Sequence, residues 1–234
     1  MTCEHLKIAR DWLCERTGFD KVWTALFARR IPEAKGPVAW LYTLGSASMF
    51  VFTVQAVTGA LLAMNYVPSP DHAYDSVNFI SQNVMSGWLI RGLHHWGASA
   101  MVVLTVLHMM RVYFMGSYKY PREGTWMVGV VLLLIVIAFG FTGYLLPWDQ
   151  KAYWATMVGA NIAGTTPVVG GMVAKVLVGG TDMGAATLTR FYALHVLILP
   201  ALILMALGVH LFLVVWHGIS EAPARIPKDP KGGA

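Results

Sequence analysis

The chain has 234 residues, 56% of them apolar and 12% charged, with a mean hydropathy of +0.57. A water-soluble fold of this composition would lack the polar residues to cover its own surface, so an ordinary soluble domain is excluded and a bilayer is implied. In such a chain a net charge of +5 reflects membrane sidedness and contact with anionic lipid, and is no argument for a nucleic-acid partner.

The first segment, residues 1–36, is the most charged. Between Leu6 and Arg30 it interleaves Trp12, Leu13, Phe19, Val22, Trp23, Leu26 and Phe27 with charges, the pattern of an amphipathic helix lying on a membrane surface and not of a cleavable signal. Both cysteines, Cys3 and Cys14, lie here. No C-x-x-C-H string or zinc-type cluster accompanies them, and no disulfide is expected. His5 falls in a terminus expected to be mobile.

Residues 36–70 carry no formal charge, and neither do 92–110, 124–148 and 191–220. A crossing needs roughly 20 residues, so four membrane helices are predicted at 38–66, 90–115, 125–147 and 190–216. Residues 37–220 form the membrane domain, and 221–234 a polar tail. The uncharged stretch from Ala152 to Ala174 is broken by Gly159, Asn161, Gly164, Thr165, Thr166, Pro167, Gly170 and Gly171. It reads as an interfacial helical hairpin between the third and fourth helices, not as a fifth span. The fold class is therefore an all-α membrane protein: a four-helix bundle with a surface helix before it and a hairpin within it.

With four crossings both termini share a side with the loop between helices two and three. Thirteen of the 17 basic residues lie on that side, against Arg91, Lys151, Lys175 and Arg190 on the other. The termini are therefore expected in the cytoplasm or its equivalent.

Intramembrane histidines are costly to bury and usually functional. The second helix carries His94 and His108, the fourth His195 and His210. Both helices run from the outer to the inner side, so His94 and His195 lie near the outer face and His108 and His210 deeper. A spacing of 14 residues in the second helix is about 21 Å of rise and returns the side chain to within about 40° of the first. The fourth helix spaces its pair by 15, about 60° out of phase, and Pro200 between them gives a cause for a kink that absorbs the extra residue. Glycines repeat the period: Gly45 and Gly59 in the first helix and Gly129 and Gly143 in the third are each 14 apart. Backbone without side chains is what a ring as large as a porphyrin needs where it grazes a helix. The matched histidines thus read as axial ligands of two stacked haems, His94 with His195 and His108 with His210. Taken singly, a glycine pair also suits close helix packing, and a lone histidine suits a packing contact or a proton relay.

Arg91 and Arg111, each three residues from a histidine and near a membrane face, suit haem propionates or simple snorkelling to the interface. His95 points about 100° from its neighbour and reads as a packing or interfacial residue. His72 is expected in a solvated outer loop. His217, seven residues past His210 and on nearly the same face, is either an interfacial histidine or a proton donor near the inner face. Saturated bis-histidine ligation favours electron transfer over oxygen chemistry. At this level a di-haem anchor of another quinone-linked oxidoreductase and a haem-free transporter remain open.

The strings RGLHHWGAS from Arg91, LHMMRVY from Leu107, TGYLLPWDQKAYWA from Thr142, TLTRFYALH from Thr187 and HGIS from His217 resemble the cytochrome b of quinol-oxidising bc complexes. Trp148-Asp149 and the 15-residue spacing of the fourth helix resemble the short, four-helix cytochrome b6 form. The resemblance spans about residues 35–220. It implies two noncovalent b-type haems, the outer at lower potential, and quinol and quinone as substrates. Tyr144, Pro147, Trp148 and Tyr153 would line one wall of the quinol-oxidation pocket. The other wall, with a P-E-W-Y motif missing here, is expected on a separate membrane subunit like subunit IV of such complexes. A Rieske iron-sulfur protein, a c-type cytochrome and a homodimeric assembly are the other implied partners, in a bacterial inner membrane or a thylakoid-type one. The b6 form usually has a cysteine in a Y-C-L-G string that attaches a further haem; here the string is Tyr42-Thr43-Leu44-Gly45, so no covalent haem is expected. Val215 stands where the family tends to place a basic residue five positions after the last ligand.

Overall fold

The computed structural model describes residues 38–220 except 181, with 7–8, 11–12, 14–16 and 24. Most of the expected amphipathic segment, with Cys3 and His5, and the tail from 221 lie outside the described residues. Within that segment the Arg16 guanidinium sits 4.5 Å from the centre of the Trp12 ring, and Cys14 is a free thiol.

Among the described residues all regular structure is helical. A single turn at Val38–Leu41 leads into α1 (Leu44–Ala63), followed by α2 (Ala73–Asn83), α3 (Gly87–Phe114), α4 (Glu123–Leu145), α5 (Gln150–Gly164), α6 (Gly170–Val178) and the long α7 (Ala185–His217). Helices α1, α3, α4 and α7 have 20, 28, 23 and 33 residues and are long and apolar enough to cross a bilayer. Between 6% and 17% of each span is buried within the chain. The remaining surface presents large apolar side chains such as Phe50, Leu134 and Phe212, which water would not tolerate and lipid or a neighbouring membrane subunit would. These helices gain little from a dry core of their own. Their backbone bonds, closed within each segment, are what a hydrocarbon solvent enforces.

Packing is pairwise. α1 lies along α3, α4 along α7, and α3 touches α4. Each histidine-bearing helix therefore has a glycine-bearing helix beside it.

The extra residue of the fourth span is absorbed where the sequence suggested, but by a defined device. Leu194–Ile198 forms one π turn, with the Leu199 amide donating to the Leu194 carbonyl. Pro200 has no amide hydrogen and its ring crowds the carbonyl four residues back, so the α-helical bond there is lost in any case. A five-residue spacing takes its place, and the 15-residue interval from His195 to His210 acquires the phase of 14 α-helical residues.

The hairpin is present and longer than its sequence limits, running from Gln150 to Val178 as α5 and α6. The Asp149 carboxylate caps α5 by accepting from the Ala152 amide at 2.8 Å. Gly179, at φ +82, closes α6 in the left-handed conformation that glycine adopts without strain. Leu145, Ala152, Met183 and Phe191 bury together beneath it. The Thr187 hydroxyl donates to the Val178 carbonyl, and Arg190 donates to Val176 at 2.9 Å. The hairpin is thereby fastened to the C-terminal end of α4 and the N-terminal end of α7, the end of the bundle that the basic residues predict to be the outer one.

The outer loop after α1 is not merely solvated. It contains α2, with Ala73, Ser76 and Ile80 buried against the bundle, although His72 before it is exposed. Next to it, the Tyr66 hydroxyl donates to the Leu146 carbonyl at 2.6 Å and its ring stacks on Tyr192. Burial, then the neighbouring Tyr192, push the Tyr66 phenol up, so it stays a donor. At the inner end Arg122 donates to the carbonyls of Gly218 at 3.2 Å and His217 at 3.4 Å. The Tyr42 hydroxyl donates to the Ser220 carbonyl at 3.3 Å.

Candidate functional site

The four histidines meet in two pairs at two depths. At the outer level the His94 and His195 rings stand 6.3 Å apart between centres, nearly edge to face at 76°. Two imidazoles sharing one ion, with metal–nitrogen bonds of roughly 2 Å as zinc shows and ring centres roughly 1 Å beyond each nitrogen, would stand roughly 6 Å apart. The observed separation therefore fits a bis-imidazole site. Deeper in the bundle His108 and His210 are close enough to interact electrostatically, and the buried His210 Nδ1 has no side-chain partner among the described residues. Among the described residues no three His, Cys, Asp or Glu side chains converge on one point, so the imidazoles act in twos.

Each histidine lies against one of the four glycines. A Cβ on Gly143 would come 2.6 Å from the His195 Cε1, and on Gly59 3.0 Å from that of His94. The corresponding distances are 3.3 Å for Gly45 to His108 and 3.5 Å for Gly129 to His210. Because α1 runs antiparallel to α3, and α4 to α7, the later glycine of each pair serves the outer histidine and the earlier one the inner. The 14-residue period predicted in the sequence is thus a one-to-one register between glycines and rings.

Two residues that the sequence reading passed over complete the outer level. The Thr58 Oγ1 lies 2.9 Å from the His94 Nδ1, and the Thr142 Oγ1 3.0 Å from the His195 Nδ1. Each threonine directly precedes its glycine, and that repeated Thr-Gly dipeptide was the available signal. Phe139 presents its ring edge-on to His195 at 5.3 Å.

The two arginines part company. Arg111 lies with its guanidinium centre 4.0 Å above the Tyr42 ring, while its Nε and Nη2 are buried with no acceptor. A buried cation with idle donors is costly unless an anion joins it, so this place suits a carboxylate at the inner level. Arg91 is exposed and donates to the Ser81 hydroxyl at 3.3 Å. It shares an outer groove with Trp88, His95 and Trp96, and His95 packs edge-on against Trp96 at 5.5 Å.

At the outer end Trp148 has φ +51, which is uncommon for a bulky residue, and its ring meets Tyr153 edge-on at 5.9 Å. Trp148, Asp149, Gln150 and Lys151 line a cavity of about 470 Å³ with Tyr74 of α2. Pro147 and Tyr153 are half-buried and Tyr144 is exposed beside them. Of the four residues expected to form a pocket wall, Trp148 alone lines this cavity. At the inner end His217 is half-buried with its Nδ1 unpartnered. The Thr43 hydroxyl donates to the Trp40 carbonyl at 2.7 Å.

The chain matches a model of the family described as cytochrome b/b6/petB over residues 32–218. It is 42% identical over 215 residues to the menaquinol:cytochrome c reductase cytochrome b subunit of Bacillus subtilis (strain 168), covering 90% of this chain and 96% of the relative. It is also 42% identical over 210 residues to the cytochrome b6 of Cyanidium caldarium, with the same coverage. Among solved structures it is similar to a chain of a hyperthermophilic respiratory complex III, with a TM-score of 0.81 and 31% identity. That match takes in 95% of this chain and 58% of the other.

Proposed function

This chain belongs to the cytochrome b/b6 family, and from that membership we propose that it is the cytochrome b subunit of a bc-type quinol oxidoreductase. In this reading quinol is oxidised near the outer face, giving up two electrons and two protons. One electron leaves to a Rieske iron-sulfur protein. The other crosses the bilayer, and two such electrons, from two quinols, reduce one quinone at the inner face with uptake of two protons.

Two noncovalent b-type haems, when bound, supply the one-electron relay between the faces. The chain's own residues hold them. His94 and His195 offer the outer pair of nitrogens, and His108 and His210 the inner pair. The four glycines keep α1 and α4 free of side chains against those rings. Arg111 offers its buried donors to an inner propionate, while the exposed Arg91 is a weaker counterpart at the outer level. Tyr144, Pro147, Trp148 and Tyr153 supply one wall of the quinol-oxidation site, fixed in place by the hairpin. A separate membrane subunit closes the open side, and a c-type cytochrome accepts electrons from the Rieske protein in a homodimeric complex. His217, its Nδ1 unpartnered, donates a proton to quinone at the inner face. The protein is an integral membrane protein, and the distribution of its basic residues supports termini on the cytoplasmic side.

The observation that carries this reading is the pairing of four histidines at two depths, each ring against its own glycine. Neither a transporter nor an unrelated haem anchor accounts for that register together with the hairpin. Replacing the histidines one at a time tests it. His94→Leu and His195→Leu should each remove the same haem from dithionite-reduced spectra, and His108→Leu and His210→Leu the other. A His94 variant that lost the haem lost by a His108 variant would overturn the pairing.

A further inference from the structure

The two levels of the site differ in one chemical respect. At the outer level both imidazoles have a side-chain partner; at the inner level, among the described residues, neither has. Thr58 and Thr142 are each 5% exposed, so their hydroxyls are out of reach of bulk water. Thr58 donates its own hydrogen to the Val54 carbonyl at 2.6 Å, and Thr142 to the Ala138 carbonyl at 2.8 Å. With that hydrogen committed, each oxygen faces the histidine Nδ1 only as an acceptor. This requires the tautomer with hydrogen on Nδ1, leaving the Nε2 lone pair directed elsewhere. The inner glycines are preceded instead by Leu44 and Val128, whose side chains have no polar group, and among the described residues no side chain partners the His210 Nδ1.

We propose that Thr58 and Thr142 are positioning residues that fix the outer histidines as Nε2 ligands and make those imidazoles the stronger electron donors. A ring that donates through Nδ1–H gains basicity at Nε2 and favours the oxidised state of whatever iron it binds. The added hydroxyl contacts at the outer level therefore lower the outer potential relative to the inner one. The gradient that sends an electron from the outer to the inner face is, in part, written into two threonines. This rests on the assignment of His94 and His195 to one haem.

The test is an optical redox titration of the purified complex, with the outer component identified as the one missing from His94→Leu. In Thr58→Val and Thr142→Val the outer component should become easier to reduce, by up to about tenfold in its equilibrium constant, ~59 mV for one electron. The inner component should not move. Thr58→Ser and Thr142→Ser, which keep the hydroxyl, should restore the original value. The converse variant, Val128→Thr, keeps the side chain's shape and offers His210 a hydroxyl acceptor like those of the outer level; it should make the inner component harder to reduce. An outer component unmoved in the valine variants, an equal shift of both components, or failure of serine to restore it would overturn the proposal. Should the valine variants not assemble, an inner component unmoved in Val128→Thr would do so alone. Absence of two b-type components from the unaltered complex would instead sink the haem assignment beneath it.

Discussion

Placing a methyl group at each of the four glycines perturbs one ring at a time, and the distances rank the outcomes. In Gly143→Ala the new Cβ would stand 2.6 Å from the His195 Cε1, far inside contact distance. The ring cannot simply swing away, for its Nδ1 is held by Thr142 at 3.0 Å and Phe139 packs against it. Overpacking of this kind costs roughly 1–3 kcal/mol, and every 1.4 kcal/mol is tenfold in an equilibrium. Outer-haem retention should therefore weaken roughly 5- to 150-fold in Gly143→Ala. Gly59→Ala, at 3.0 Å, should fall below it and Gly45→Ala, at 3.3 Å, should be milder still. At Gly129 the added Cβ meets His210 at 3.5 Å, an ordinary contact, so that variant should keep its haem. The assay is haem content per complex from reduced-minus-oxidised spectra, with outer and inner components separated by potential. The reasoning fails if Gly129→Ala loses more haem than Gly143→Ala, or if Gly143→Ala loses the inner component.

Other outcomes follow from single positions. Thr43 cannot form a thioether, so haem staining after denaturing electrophoresis should give no band at 25.7 kDa; a peroxidase-active band at that mass would show a covalent attachment elsewhere, with Cys3 or Cys14 the first to examine. If the π turn at Leu194–Ile198 serves only to absorb one residue, deleting Leu197 together with Pro200→Ala should leave 14 α-helical residues between His195 and His210 and retain both haems. Inserting one alanine between His94 and His108, which have no such turn between them, should lose a haem, and equal loss in both would refute the phase argument.

Much of this architecture was legible because a bilayer simplifies the reading. Charge-free runs longer than the hydrocarbon thickness have few folds open to them, and the four predicted spans match α1, α3, α4 and α7, the ends differing by at most six residues. The histidine and glycine periods were visible for a related reason, since straight helices convert sequence spacing directly into depth and direction. What escaped notice was short or local. The 11-residue helix α2 carries Asp75 and lies in a charged loop, and only its packed face of Ala73, Ser76 and Ile80 distinguishes it from solvated chain. Thr58 and Thr142 looked like ordinary membrane-helix threonines bonding back to their own carbonyls, which they also do. Their second role depends on a ring contributed by another helix, and no spacing within one helix contains that information.

The fourth span shows where period arithmetic needs chemistry added to it. Fifteen residues at 100° each leave His195 and His210 about 60° out of phase, which taken alone argues against a shared stripe. Pro200 removes the amide that a regular helix would use, and the π turn before it takes up one residue without turning the next ring away. The consequence reaches beyond the backbone. Only with that residue absorbed can His195 meet Thr142 and Gly143 while His210, on the same helix, faces Gly129. The imidazole-to-glycine register on α4 and α7 thus rests on a proline that belongs to neither pair.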